Sequence, residues 1–224
     1  HANPNHDGMD PDIDIPFMVF SEEQAQEKRG LARIVAGYQA FLFFPALTLT
    51  LYSMQYASWL YVIREKFRFR APDIALLATH FVLYYVGLPI LLGPWQALVF
   101  ILLHRGMLGV MLGAAFAPNH KGMLVISADN EEKLDFLRKQ VLTARSVRST
   151  PFIDFMYGGL NHQAVHHLFP GMARNKLPQA SIITKQFCEQ YSVSYHQTGV
   201  RQSLAEILHS LHLTAKDLRG NSAS

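Results

Sequence analysis

Three imidazoles fall within six residues, at His162, His166 and His167, inside the run Gly158-Gly159-Leu160-Asn161-His162-Gln163-Ala164-Val165-His166-His167-Leu168-Phe169-Pro170. Imidazole ligates iron, zinc, copper and nickel, so the histidines imply a metal without choosing which one. On a helix, Gln163, His166 and His167 stand at i, i+3 and i+4 on one face, and His162 sits four residues before His166 on the edge of that face. The glycine pair ahead of the array and Leu-Phe-Pro behind it mark its boundaries. The competing reading is a solvated histidine cluster at a helix end.

Other residues with chemical capacity are weaker candidates. Asp10, Asp12 and Asp14 could serve as iron carboxylates, but Asp before Pro initiates turns and Asp favours caps, so turn and cap roles are expected. Glu206-Ile207-Leu208-His209 is a Glu-x-x-His string of the kind soluble di-iron bundles use in pairs. It is solitary and lies in the tail, and is read as no site. The single Cys188 excludes an intrachain disulfide and a cysteine-based zinc site, as suits a reducing compartment.

The elements that must position the array are apolar to an unusual degree in places. Half of the 224 residues are hydrophobic and 17% are charged, yet mean hydropathy is only +0.08, so very apolar segments stand beside an ordinary soluble portion. Residues 1–33 are polar and turn-rich, with a surface helix expected over Glu22 to Arg33. Ile34 to Ile63 carries no charge, and two further apolar stretches, Ile74 to Leu92 and Trp95 to Ala117, meet at Gly93-Pro94. Each stretch is about as long as, or longer than, the ~20 residues that cross a ~30 Å hydrocarbon layer. A transmembrane hairpin over 74–117 is expected. Pro45 and the many Tyr, Phe, Ser and Thr residues of 34–63 suit the headgroup level instead. Arg64-Glu65-Lys66-Phe67-Arg68-Phe69-Arg70 before the hairpin, and Lys121, Lys133, Arg138 and Lys139 after it, place both flanks on the cytosolic side. His80, His104 and Arg105 inside the hairpin are costly in hydrocarbon and are read as packing or tunnel groups. His104 and His120 are 16 residues apart, about 24 Å along one helix, and cannot share a mononuclear site. Gly109, Gly113 and Ala117 offer a smooth face for close packing or for an acyl chain. Residues 118–224 read as a cytosolic helical cap, with helices expected over Asp129 to Ala144, Leu177 to Tyr191 and Val200 to Leu213. A net charge of +3 and a pI near 9.0 suit a membrane surface, and no basic, aromatic-interleaved stripe points to nucleic acid. The fold class is thus an all-α membrane protein, read as one domain.

These motifs carry a resemblance. Gly-Gly-Leu-Asn followed by Gln-x-x-His-His-Leu-Phe-Pro resembles the third histidine box of the membrane fatty acyl desaturases, in the branch whose first box position is Gln. His1-Ala2-Asn3-Pro4-Asn5-His6 and Asp10-Pro11-Asp12-Ile13 are similar to the family's stretch just after the second box, HxxHH, with His1 the last histidine of that box. Phe116 to Met123 resembles the segment leaving the last membrane helix, where His120 matches a metal-ligating histidine. The resemblance implies two non-haem iron ions held by His1, His120, His166 and His167, with Gln163 in the first position of the third box, and dioxygen as co-substrate. It implies a fatty acyl substrate carried on CoA, a carrier protein or a glycerolipid, set in membrane lipid. Electrons would come from ferredoxin or from cytochrome b5 with its reductase. It also implies a first box upstream of His1, so that residues 1–224 alone would be inactive. His162 departs from the family, which favours an aromatic there, and Val165 stands where Glu is frequent. Either His162 adds a ligand or it orients one by a hydrogen bond, and Gln163 in register is preferred.

The expected activity is an acyl desaturase, multi-pass in the membrane with its active site on the cytosolic face, a bacterial plasma membrane being favoured over the endoplasmic reticulum. A related hydroxylase, acetylenase or epoxygenase is the near alternative. A membrane transporter or receptor binding metal through its histidines is the alternative from another class, with His80, His104 and Arg105 as its foothold.

Overall fold

The computed structural model describes residues 3–10, 13, 15, 17–127 and 133–220. Helices dominate, as the sequence leads one to expect. Among the described residues the sheet content is a two-residue parallel pair, Ser146–Val147 (β1) with Gln197–Thr198 (β2), and a bridge between His6 and Ile126. The chain separates into two compact units, His1–Phe43 with Ala114–Ser224, and Phe44–Gly113.

The uncharged run 34–63 is broken into three helices with Gly30 to Arg33 joined to the first: Gly30–Gly37 (α2), Gln39–Leu47 (α3) and Thr50–Arg64 (α4). α2 and α3 meet at 92°. The corner is held by the buried Gln39 side chain. Its Oε1 accepts from the Val19 N–H at 2.9 Å, and its Nε2 donates to the carbonyls of Val19 and Leu211 at 3.0 and 2.9 Å. No one of the three reaches the ~20 residues of a straight span.

Two helices do reach it. Arg70–Leu92 (α5) runs for 23 residues with a π turn at Leu83–Gly87, and Pro94–His120 (α6) runs for 27. Both are long and apolar enough to cross a membrane. Gly93, at φ 86°, makes the break between them, a conformation that glycine adopts without strain. Their outer faces are bare of protein: Ile90, Leu91 and Met107 are 77%, 79% and 72% exposed, a surface that hydrocarbon solvates and water does not.

The polar residues of this apolar unit find partners inside it. Tyr84 Oη and His104 Nδ1 lie 2.6 Å apart, and the His80 ring stacks on Tyr84. Arg105 is buried with its guanidinium 5.5, 5.0 and 5.4 Å from the ring centres of Tyr52, Tyr84 and Tyr85, contacts that strengthen when desolvated. The small residues pack as expected. A Cβ on Gly109 would stand 2.6 Å from the Leu47 carbonyl oxygen, and one on Gly113 2.5 Å from the Leu47 side chain.

In the other unit the expected helix over Glu22 to Arg33 is cut. Glu22–Glu27 (α1), capped by Ser21, ends before Gly30, whose φ of 56° turns the chain into α2. Val19, Ala25, Ala36, Ala215 and Leu218 close a small core there. Phe136–Leu142 (α7) starts later than the expected Asp129, with Asp135 as its cap; residues 128–132 lie outside the described ones. Pro151–Met156 (α8) leads to the histidine array, which is Gln163–Leu168 (α9). Leu177–Gln190 (α10) and Val200–Thr214 (α11) fall where the sequence puts them, and Lys216–Gly220 (α12) completes the helices.

Candidate metal site

α9 is short because both of its ends are specified. Gly158 and Gly159 take φ of 59° and 88°, and their N–H groups cap the Phe155 and Asp154 carbonyls at the end of α8. A Cβ on Gly159 would meet Leu177 at 3.3 Å. The chain then makes a 3-10 turn over Leu160–His162, and α9 stops at Phe169, before Pro170. One edge of α9 feeds the core: Ala164 and Leu168 pack with Val141, Ala144, Cys188 and Val193. Gln163 and His167, likewise four apart, share the neighbouring edge.

That edge meets the C-terminal end of α6. Gln163 Nε2 donates to His120 Nε2 at 2.9 Å and to His167 Nε2 at 2.8 Å, and the two imidazole nitrogens stand 3.2 Å apart. The amide orientation is fixed by Asn119, whose Nδ2 donates to Gln163 Oε1 at 3.1 Å. The His120 tautomer is fixed too. Its Nδ1 donates to the Thr143 carbonyl at 3.2 Å, which leaves the lone pair on Nε2. Two lone pairs so close repel unless an electropositive group is shared between them. The amide hydrogens of Gln163 are one such group, and a metal cation is a stronger one. Burial, then the neighbouring His120 and His166, push His167 down to about 3, so it is a neutral donor at physiological pH. These donors fit a metal in chemistry and in aim.

His166 stands beside this convergence, half-buried, its ring centre 6.0 Å from that of His167; burial lowers its pKa. Adjacent residues on a helix point about 100° apart, so His166 and His167 leave α9 in different directions. His162 faces elsewhere. It caps α9 and is 2% exposed, with Nε2 3.4 Å from Asp154 Oδ1. Burial lowers its pKa, with Asp154 opposing the shift. Asp154 also receives Asn161 Nδ2 at 2.6 Å and Ser149 Oγ at 2.7 Å. His1, Asp12 and Asp14 lie outside the described residues. Asp10 acts as a turn residue, its carboxylate accepting the Asn5 N–H at 2.6 Å. Among the described residues no three His, Cys, Asp or Glu side chains converge as one ligand set. Those brought together among the described residues include two imidazoles and an amide.

Several residues that hold the site carry no chemical role that the sequence alone assigns. Asn5, 1% exposed and at φ 53°, donates from Nδ2 to the carbonyls of His120 at 2.9 Å and Leu124 at 3.2 Å, tying the N-terminal segment to the end of α6. Asn tolerates this left-handed conformation better than most residues. Arg145 lies beneath the same turn and pairs with Glu206, the residue of the solitary Glu-x-x-His string. The signals are faint: Asn5 and Asn119 stand inside the matched segments without a role of their own, and Arg145 counts only as positive charge.

Comparison with known proteins gives the site a context. The fatty acid desaturase family model matches residues 1–199. The chain is 29% identical over 229 residues to an acyl-lipid (9-3)-desaturase of Physcomitrium patens, covering 96% of the chain and 42% of that protein. It is 27% identical over 238 residues to the Delta(6)-fatty-acid desaturase fat-3 of Caenorhabditis elegans, covering 100% and 53%. It is 26% identical over 224 residues to an acyl-lipid (9-3)-desaturase of Borago officinalis, covering 94% and 49%. The chain thus spans about half the length of the curated relatives it matches. No solved structure gives a significant match.

Proposed function

From the premise that this chain belongs to the fatty acid desaturase family, we propose that the protein carrying it is a membrane acyl desaturase that inserts a C=C bond into a long fatty acyl chain, with dioxygen and two electrons. The observation that carries the proposal is the aim of His120 Nε2 and His167 Nε2 at one point 3.2 Å across, braced by Gln163. A buried, neutral imidazole such as that of His167 holds a redox metal without adding negative charge. His1, His120, His166 and His167 are the proposed holders of a di-iron centre. Gln163 would join them through Oε1 only if its amide turned over, releasing Asn119.

When bound, the iron pair supplies the activated dioxygen that an unactivated C–H bond demands. The chain's own residues do the rest. Thr143 keeps the His120 lone pair on Nε2 through its carbonyl. As the side chains stand, Asn119 orients the Gln163 amide and that amide holds the two rings in register. Asn5 holds the turn in which His120 sits. The binding energy of a long acyl chain would then serve to place vicinal hydrogens at the metal and so choose the carbons.

α5 and α6 form the proposed transmembrane hairpin, with α2 to α4 in the interface and the histidine-bearing cap on the cytosolic side. The basic run Arg64 to Arg70 and the charges after His120 support that orientation. The names of the moss and borage relatives direct the first assay to acyl chains on lipids. Electron supply by ferredoxin or by cytochrome b5 is part of the proposal. The test is mass spectrometry of acyl products from the natural-length protein under oxygen-18 dioxygen. Loss of two hydrogens without label in the product is expected, and retained label would assign a hydroxylase or epoxygenase instead.

A further inference from the structure

Among the described residues the largest fully buried side chain is a cation, Arg145, at 1% exposure. A guanidinium taken out of water costs several kcal/mol unless its donors and charge are met. Here the two Nη groups and the charge are met at one place, while Nε has no hydrogen-bond partner among the described residues. Nη1 donates to the carbonyls of Pro118 at 2.8 Å and Lys121 at 3.1 Å, and the Arg145 main-chain N–H donates to the Asn119 carbonyl at 2.7 Å. These are carbonyls of the last turn of α6 and the residue after it, which the helix itself cannot satisfy. A cation is also favoured at this end by the helix dipole.

His120 lies inside that set, bracketed by 118, 119 and 121. Its ring nitrogen Nδ1 is held by the Thr143 carbonyl, two residues before Arg145. Arg145 therefore clasps the backbone on both sides of His120 to the segment that orients the His120 ring. The charge is balanced from α11: Nη2 lies 3.0 Å from Glu206 Oε2. Glu206 is fixed in turn by His196 Nε2 at 2.8 Å and Gln202 Nε2 at 2.9 Å.

We infer that Arg145 is a positioning residue for the His120 ligand and that Glu206 holds Arg145 in place, so that metal retention depends on an ion pair that touches neither imidazole. The inference rests on the reading of His120 as a ligand. Outer partners that orient a metal ligand change affinity by about 10 to 100-fold when lost.

The test uses the natural-length protein with Arg145→Met, Arg145→Lys, the double variant Arg145→Met/Glu206→Gln, and His120→Ala as reference. Two readouts are taken: bound iron against graded concentrations of a chelator, and the thermal midpoint of the iron-free protein. Arg145→Met is expected to release iron at roughly ten-fold lower chelator or less, with Arg145→Lys recovering part of the loss. The double variant leaves no unpaired buried charge and is expected to melt near wild type while binding as weakly as Arg145→Met. Iron held as tightly as wild type in either Met variant, with His120→Ala losing it, overturns the inference and leaves the ligand reading intact. Affinity that merely tracks the iron-free melting point across all the variants assigns Arg145 a structural role and overturns it too. Wild-type protein without iron, or His120→Ala without effect, defeats the ligand reading itself.

Discussion

His162 and Gln163 are neighbours in the chain and opposites in the site. Gln163 bridges His120 and His167 through its amide nitrogen, whereas His162 is turned to Asp154. Gln163→Ala removes the Oε1 that would join the histidines at the metal and should weaken iron retention by about 10-fold or more, while His162→Phe should leave retention within about two-fold of wild type, because an aromatic of similar size fills its buried place. Chelator competition on the two variants separates them, and the reverse order would make His162 the ligand. The histidines and Gln163 were legible because side-chain chemistry is written in residue identity. Asn5 and Arg145 were not, since their partners are main-chain carbonyls, which every residue carries. Glu206 was seen and dismissed, as a Glu-x-x-His string says nothing about an arginine 61 residues earlier (206 − 145).

At the scale of elements, packing is tightest where α3 meets α6. Gly109→Ala would drive a methyl to 2.6 Å from the Leu47 carbonyl, and backbone cannot step aside as the Leu47 side chain can at Gly113. Gly109→Ala should cost about 1–3 kcal/mol and Gly113→Ala less, read as thermal midpoints in detergent. The α11 contact predicts a pH effect. Burial works to raise the Glu206 carboxyl, but His196, Gln202 and Arg145 together hold it below its ordinary value of 4.5. A carboxyl depressed by folding adds stability above its unfolded pKa and loses it as pH falls through the folded one. Wild type should therefore lose thermal midpoint below about pH 4.5 faster than Glu206→Gln does, and equal slopes would show that the pair contributes nothing. The long helices α5 and α6 are legible because an apolar run of that length is what a span requires. The breaks within 34–63 were not, because the corner at Tyr38 depends on Gln39 reaching Val19 and Leu211, residues far away in sequence.

For the whole molecule, the proposed topology puts the basic flanks of α5 and α6 on one side and the Gly93-Pro94 break on the other. Single cysteines at Lys66 and Lys139 should react with an impermeant thiol reagent only from the cytosolic side, and one at Gln96 only from the opposite side, with Cys188 replaced by Ser beforehand. Reaction of Lys66→Cys and Lys139→Cys from opposite sides would require a third span and would part the N-terminal segment from the array. Membrane character was readable from hydropathy, and family membership from short motifs. How the N-terminal segment docks was readable from neither, since it depends on Asn5 meeting carbonyls more than a hundred residues away.

The central claim is that His120 and His167 share a metal. Metal analysis of the natural-length protein with Mössbauer spectra, beside His120→Ala and His167→Ala, tests it most directly. Two irons per chain in wild type, with a coupled di-iron signal lost in both variants, is the expected result. Zinc without iron in active protein, or an iron signal unchanged by either substitution, would contradict it.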